Sequence, residues 1–337
     1  MNQPAVAIFG VLTCIVGVAA TQANEPREVV VYCGRSQSLV GPLIEQFQRE
    51  TGIAVKVKYG STPELAGLIM AEGDRSPADL FWAQDAASLG RLATDGLFAK
   101  LPEATLTKVS PRFRSNDGLW VATSARARVL AYSPKRVRPQ DLPKSVFDLT
   151  DPRWRGRIGW SPGNASFQAF VTAMRLVHGD AKTRQWLVGL KANNPRSYGA
   201  KNMPIIEAIA SGEIDVGLCN HYYLLRQKAQ NASYPVEQTF LEPGDIGNLM
   251  LVAGLGQLKT ARNKDAARKF IDFMLTPHSA QRFFTGDDME YSVVDGVPNP
   301  PQLPGADKLD AYVPDVDLDR VHDTQATQKM LAEVGVL

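Results

Sequence analysis

Between Glu28 and Ala83 the chain switches hydrophobic period four times, and this alternation constrains its fold more than any other feature. "EVVVYCG" is an apolar run closed by Gly34, the pattern of a buried strand. "SLVGPLIEQFQRETG" repeats apolar residues at helical spacing and stops at Gly52. "IAVKVKYG" alternates at period two, "PELAGLIMAEGDR" returns to helical spacing, and "ADLFWA" reads as a third strand. The order strand, helix, strand, helix, strand predicts an α/β fold with a mostly parallel sheet and right-handed crossovers. In such sheets ligands gather beyond the carboxyl ends of the strands. Those ends carry Arg35 and Ser36, Tyr59 to Ser61, and Gln84 and Asp85, so Arg35, Ser36, Gln84 and Asp85 are candidate cleft-lining residues. Asp85 also suits the N-terminus of a helix over "AASLGRLA".

The rest of the chain predicts a second α/β unit. "GLWVATSARARVLAYSP" and "GNLMLVAGLGQLK" read as two long extended crossings. Between them lie a short strand in "RIGW", a polar loop, a helix beginning in "GNASFQAF", and then "MPIIEAIASGEIDVGLCNHYY", a helix, a glycine stop and a strand. "NKDAARKFIDFMLTPHSAQRFF" is strongly periodic and predicts a helix. Two lobes joined by extended crossings enclose a cleft, a common ligand site. The expected division is a first lobe over 24–125 and 252–300, a second over 126–251, and a C-terminal segment, 301–337, packing on both.

At the end of the last strand stand Tyr222 and Tyr223, side by side. Neighbours on a strand point to opposite faces and neighbours on a helix diverge by about 100°, so core packing gives no reason to pair them. A strand end or the first turn of a helix can aim both hydroxyls into one cleft. Phenolate oxygens are hard anionic donors suited to a small, highly charged cation. Arg126 and Arg128, at i and i+2, share one face of an extended strand, and Arg126 offers a permanent cation with a fork matched to oxyanions. Asn164 or Ser166 can cap a helix whose free amides would face an anion.

The first 23 residues carry no charged side chain, and "AVAIFGVLTCIVGVAA" is an apolar run of 16 residues. That is short of the roughly 20 a bilayer span needs. It fits a signal peptide over 1–23 despite the absence of Lys or Arg near Met1. Export leaves Cys33 and Cys219, for which a disulfide is chemically permitted and two buried free thiols are the other reading. A net charge of +2 gives no electrostatic footprint for nucleic acid. His221 reads as structural, His178, His278 and His322 are scattered, and Trp82, Trp120 and Trp160 read as core. No nucleophile–base pair, phosphate-binding glycine loop or redox cysteine pair is present, which argues against an enzyme.

Six stretches together carry a resemblance to a known family. They are "SPADLFWAQDA", "TSARARVLAY", "LTDPRWRGRIGWSPGNASF", "AKN", "GEIDVGLCNHYY" and "NKDAARKFIDFML". In order and spacing the chain resembles the ferric-iron-binding substrate-binding proteins of bacterial ABC importers. The resemblance implies a type II periplasmic-binding fold of two α/β lobes joined by extended hinge strands, working as a monomer in the periplasm and docking on an inner-membrane permease. It implies Fe(3+), free or chelated, held by Tyr222 and Tyr223 with a synergistic anion such as carbonate or phosphate. The anion-binding positions it implies are Arg126, Asn164, Ala165, Ser166 and Asn202. The sequence departs from the pattern at Ser36, where some members carry a histidine ligand, and at Ala83, where they carry a glutamate. Nor does it hold the additional tyrosine that other members place in the loop matching "GNAS". A relative specialised for an anion without iron, and a hydrolase on the same scaffold, are the alternatives.

Overall fold

The structure is a computed structural model, and residues 28–299 and 309–337 are described. The proposed signal peptide and Cys14 lie outside the described residues. β1 (Glu28–Cys33), β2 (Ala54–Tyr59) and β3 (Leu80–Ala83) pair in parallel in the order β2-β1-β3. α1 (Gln37–Thr51) buries Val40, Leu43, Ile44 and Phe47 and ends where Gly52 takes φ 69°, a conformation that glycine reaches without strain. α2 (Thr62–Glu72) opens with a Ser61–Glu64 capping box and Pro63 in its first turn. α3 (Ala86–Thr94) is capped by Asp85, which accepts from the Ser88 amide. A single turn, α4 (Glu103–Leu106), precedes the first crossing.

β4 (Trp120–Tyr132) is buried along all 13 residues. Residues 120–127 pair with a strand that returns much later, and 128–132 pair with the second half of the molecule. There β5 (Ile158–Trp160) leads through α5 (Ala165–Ala192), interrupted at Gly179, to β6 (Arg196–Ser197). α6 (Met203–Ser211) then leads to β7 (Val216–Asn220), α7 (Tyr222–Gln230) and β8 (Glu237–Thr239). β9 (Met250–Gln257) is the returning strand, followed by α8 (Lys264–Met274) and α9 (Arg282–Gly286).

The hydrogen-bonded order is β2-β1-β3-β9-β4-β7-β5-β6, with β8 on β4. The sheet is therefore not mostly parallel. Each half is parallel at its outer strands, but β9 pairs antiparallel with β3 and β4, and β4 pairs antiparallel with β7 and β8. The two long crossings supply these antiparallel pairs, because each must run from one half into the other. The helical stretch expected over 263–284 also divides: α8 stops at Met274, and the chain turns at Thr276-Pro277 before α9. Proline cannot donate to a continuing helix.

The C-terminal segment touches both halves. After α10 (Leu309–Tyr312), Tyr312 stacks on Phe240 at 5.3 Å. Asp319 then accepts from the Trp120 indole Nε1 at 2.7 Å and from the Asn116 amide at 2.9 Å. Its carbonyl lies so near α3 that a Cβ at Gly90 would collide with it. α11 (Thr324–Val334) packs on α5, where the buried hydroxyls of Thr172 and Thr327 meet at 2.7 Å and Arg184 pairs with Glu333 at 2.6 Å. Among the described residues no helix is long and apolar enough to cross a membrane. Cys33 and Cys219 are both buried and free, and Trp82, Trp120 and Trp160 are core residues.

Candidate functional site

The strand β7 delivers Asn220 to its end, His221 turns the chain, and Tyr222 and Tyr223 form the first turn of α7. Although their Cα–Cβ bonds diverge, the two rings lie with centroids 4.5 Å apart, tilted by 36°. Both are half-buried. Burial, with Tyr222 alongside, raises the Tyr223 phenol above its ordinary value near 10, while Asn202 and Arg226 act in the opposite direction.

A polar network holds the pair from behind. Asn220 Nδ2 donates to the Tyr222 hydroxyl at 3.3 Å and to Ser166 Oγ at 3.1 Å. Asn220 Oδ1 accepts from Arg128 Nη1 at 3.1 Å, and Arg128 Nη2 donates to the Leu218 carbonyl at 3.0 Å. The Arg128 guanidinium is fully buried, and burial pushes it down to about 10, still protonated at neutral pH. All its hydrogen-bond acceptors are neutral, Asn202 Oδ1 at 3.5 Å among them. Arg226 caps the pair from the α7 side, its guanidinium carbon 4.7 Å from the Tyr222 ring centroid.

Arg126 lies on the same face of β4, 5% exposed, with Nη2 donating to the Gln84 carbonyl at 2.8 Å. Its Nη1 is buried without a partner, and so is Nδ2 of Asn202, itself 1% exposed. Two buried donors without acceptors are costly unless a ligand satisfies them. Asn164 caps α5 by accepting from the Ser166 amide at 3.0 Å and ties the loop to the Ala200 carbonyl at 2.8 Å. Ala165 lines a cavity of about 560 Å³ together with Asp85, Ser88, Arg91, Gln168 and His322.

Arg35 does not line the cleft. It is 1% exposed and pairs with Asp288 at 3.0 Å and Glu290 at 3.1 Å, and its Nη1 donates to Ser124 at 2.9 Å. The guanidinium turns inward because two buried carboxylates need a cation there. Arg35, with help from Arg126 and the Ser124 hydroxyl, holds Glu290 below the usual carboxylate range against burial, whereas for Asp288 burial prevails and pushes it up to about 7. Ser36 is exposed, its hydroxyl meeting that of Ser38, and Ala83 is fully buried. Gln84 contributes its carbonyl, and Asp85 is occupied as a helix cap.

His221 is structural in geometry. It is fully buried, its Nδ1 accepts from the Ala127 amide at 3.1 Å, and its Nε2 donates to the Met289 carbonyl at 2.7 Å. Burial pushes it down to about 4. The residues that sequence reasoning missed are Asn220, Arg128 as the cation behind it, Arg226 over the Tyr222 ring, and the Asp288–Glu290 segment. Arg226 had a signal, since it lies four residues after Tyr222 on one helix. Among the described residues no three His, Cys, Asp or Glu side chains are grouped to hold a metal ion.

The profile of the bacterial extracellular solute-binding proteins matches residues 75–322. The major ferric iron-binding protein of Neisseria meningitidis is 34% identical over 331 residues, covering 94% of this chain and 96% of that one. The Fe(3+)-binding periplasmic protein of Serratia marcescens is 30% identical over 320 residues, covering 94% and 93%. Iron-bound HitA of Pseudomonas aeruginosa superposes with a TM-score of 0.81 at 33% identity, covering 92% of this chain and all of that one. The fold is the type II periplasmic-binding arrangement, two α/β lobes joined by extended strands.

Proposed function

The chain belongs to the bacterial extracellular solute-binding proteins, binding proteins rather than enzymes, and from that membership we propose that it captures ferric iron in the periplasm with a synergistic anion and delivers it to an ABC importer. The observation that carries this reading is the close, tilted pair Tyr222 and Tyr223 at the head of α7, backed through Asn220 by Arg128. A trivalent ion at bonding distance favours the phenolates over the phenols, and two phenolates offset two of its three charges. Arg126 Nη1, Asn202 Nδ2 and the α5 start at Asn164, Ala165 and Ser166 supply donors for the anion. The relatives named for ferric iron support the same cargo. The lobes divide near residues 126 and 251, within β4 and β9, so closure is a hinge motion at those two strands. Membership also removes the hydrolase alternative.

The test is titration of the mature protein with ferric nitrilotriacetate, followed by visible absorbance. A phenolate-to-iron charge-transfer band appears in the wild type and fades in Tyr222→Phe and Tyr223→Phe; unchanged spectra in both variants remove the pair from the site. A second reading, an anion carrier without iron, is favoured by the unpaired donors of Arg126 and Asn202. It predicts a colourless protein that still binds phosphate or citrate by calorimetry.

A further inference from the structure

The C-terminal segment ties the two lobes together at a place away from β4 and β9. Its anchor on the first lobe is the single turn Leu318–Arg320. There Asp319 holds the Trp120 indole and the Asn116 amide and lies against Gly90 of α3, while Leu318 and Val321 are buried. Its anchor on the second lobe is α11. Arg175 of α5 donates to the Asp323 carbonyl at 3.3 Å and to Thr327 Oγ1 at 3.0 Å, and Gln328 donates to Gln168 Oε1 at 3.0 Å. Only His322 and Asp323 separate Val321 from Thr324, where α11 begins. They are folded as a turn: the Thr324 amide donates to the His322 carbonyl at 2.8 Å, and His322 Nδ1 donates to the Asp319 carbonyl at 2.7 Å.

This short link spans the gap between the lobes. The cavity of about 560 Å³ is walled by Asp85 and Ser88 at the start of α3, by Ala165 and Gln168 at the start of α5, and by His322 and Asp323. Both helix starts follow the carboxyl ends of strands, β3 and β5, the ends that face the cleft. Widening the cleft therefore draws α3 away from α5 and stretches the link. Three Cα steps reach about 10 Å at full extension. Separation beyond that length has to break an anchor, which exposes buried Leu318 and Val321 on one side or buried Met330 and Leu331 on the other. We propose that residues 318–334 form a strap that limits how far the lobes open. A hinge of two strands alone swings as far as β4 and β9 allow, and the strap sets a nearer stop. The inference rests on the hinged lobes of the proposed function and is independent of the cargo.

The experiment measures the distance between spin labels at Glu45→Cys and Arg155→Cys in the full mature chain, exposed positions on α1 and just before β5. Cys33 and Cys219 are fully buried and stay unlabelled. Inserting Gly-Ser-Gly-Ser between His322 and Asp323 lengthens the link by up to about 13 Å and keeps the residues of both anchors. In the ligand-free protein this insertion should lengthen the mean distance by about 5 Å or more and broaden its distribution. The same insertion between Ala232 and Ser233, an exposed turn of the second lobe, should leave the distance unchanged. Arg175→Met frees the start of α11 without lengthening the chain and should shift the distance in the same direction; it decides the matter if circular dichroism shows the insertion variant unfolded. Wild-type spacing in a folded link variant overturns the strap, as does an equal shift from the insertion at 232. Closure is read separately, in the wild type loaded with ferric nitrilotriacetate: a distance that loading leaves unchanged overturns the closure of the proposed function, so the two failures are distinguishable.

Discussion

Tyr222 and Tyr223 place their ring centroids 4.5 Å apart although they are neighbours on a helix, and burial in that arrangement raises the Tyr223 phenol above 10. At neutral pH Tyr223 therefore holds its proton until a cation displaces it. On the proposed ferric reading, metal uptake should release that proton and affinity should fall as the medium becomes more acid. Calorimetry in buffers of different ionisation enthalpy measures the release, and Tyr223→Phe should release about one proton fewer per iron than the wild type. Equal release by the two proteins would take Tyr223 out of the first coordination shell.

His221 predicts an acid-sensitive stability. Its folded value of about 4 lies below the 6.5 of an unfolded histidine. As pH falls below 6.5 the unfolded chain takes up a proton that the folded chain refuses. Stability is then present in full above 6.5 and is lost progressively down to about 4, a loss on the order of 3 kcal/mol. Urea denaturation between pH 7 and 4.5 should show this slope, and His221→Gln should flatten it while lowering stability at pH 7.

Arg35 predicts a buried-charge penalty. Arg35→Met leaves Asp288 and Glu290, at 3%–4% side-chain exposure, without the cation they pair with. The expected cost is about 3–5 kcal/mol in urea denaturation. Adding Glu290→Gln removes one of the stranded charges and should recover part of it. A single substitution with no measurable cost would show that water reaches the cluster.

Gly90 predicts that the C-terminal segment can be loosened from a distance. Alanine in a helix interior gains up to about 1 kcal/mol over glycine. A Cβ here collides with the Asp319 carbonyl, and overpacking of this kind costs about 1–3 kcal/mol, so the collision should prevail. Gly90→Ala should speed proteolytic cleavage between residues 313 and 323, and so should Trp120→Phe, which removes the indole donor to Asp319 and leaves a gap in the core.

The first lobe was legible because its signals are local. Glu28 to Ala83 reads correctly since glycines at 34, 52 and 60 punctuate runs whose periodicity each segment carries by itself. The pairing of β3 with β9 was not legible, because the partner strand lies some 170 residues away and its apolar run suits either direction. Arg35 shows the same limit. Nothing in "CGRSQ" announces that Asp288 and Glu290 will arrive beside it, so a residue at a strand end was read as facing a ligand when its charge was needed inside. The placement of Tyr222 and Tyr223 at the strand-to-helix turn was legible, but the network behind them depends on β4, α5 and α7 meeting.

α11 follows its partners on α5 by some 150 residues. A growing chain that has not yet reached Thr327 leaves Thr172 without its hydroxyl partner, and one short of Asp319 leaves the Trp120 indole N–H unanswered. The halves are therefore sutured only after the chain has been made through Asp319 and Thr327.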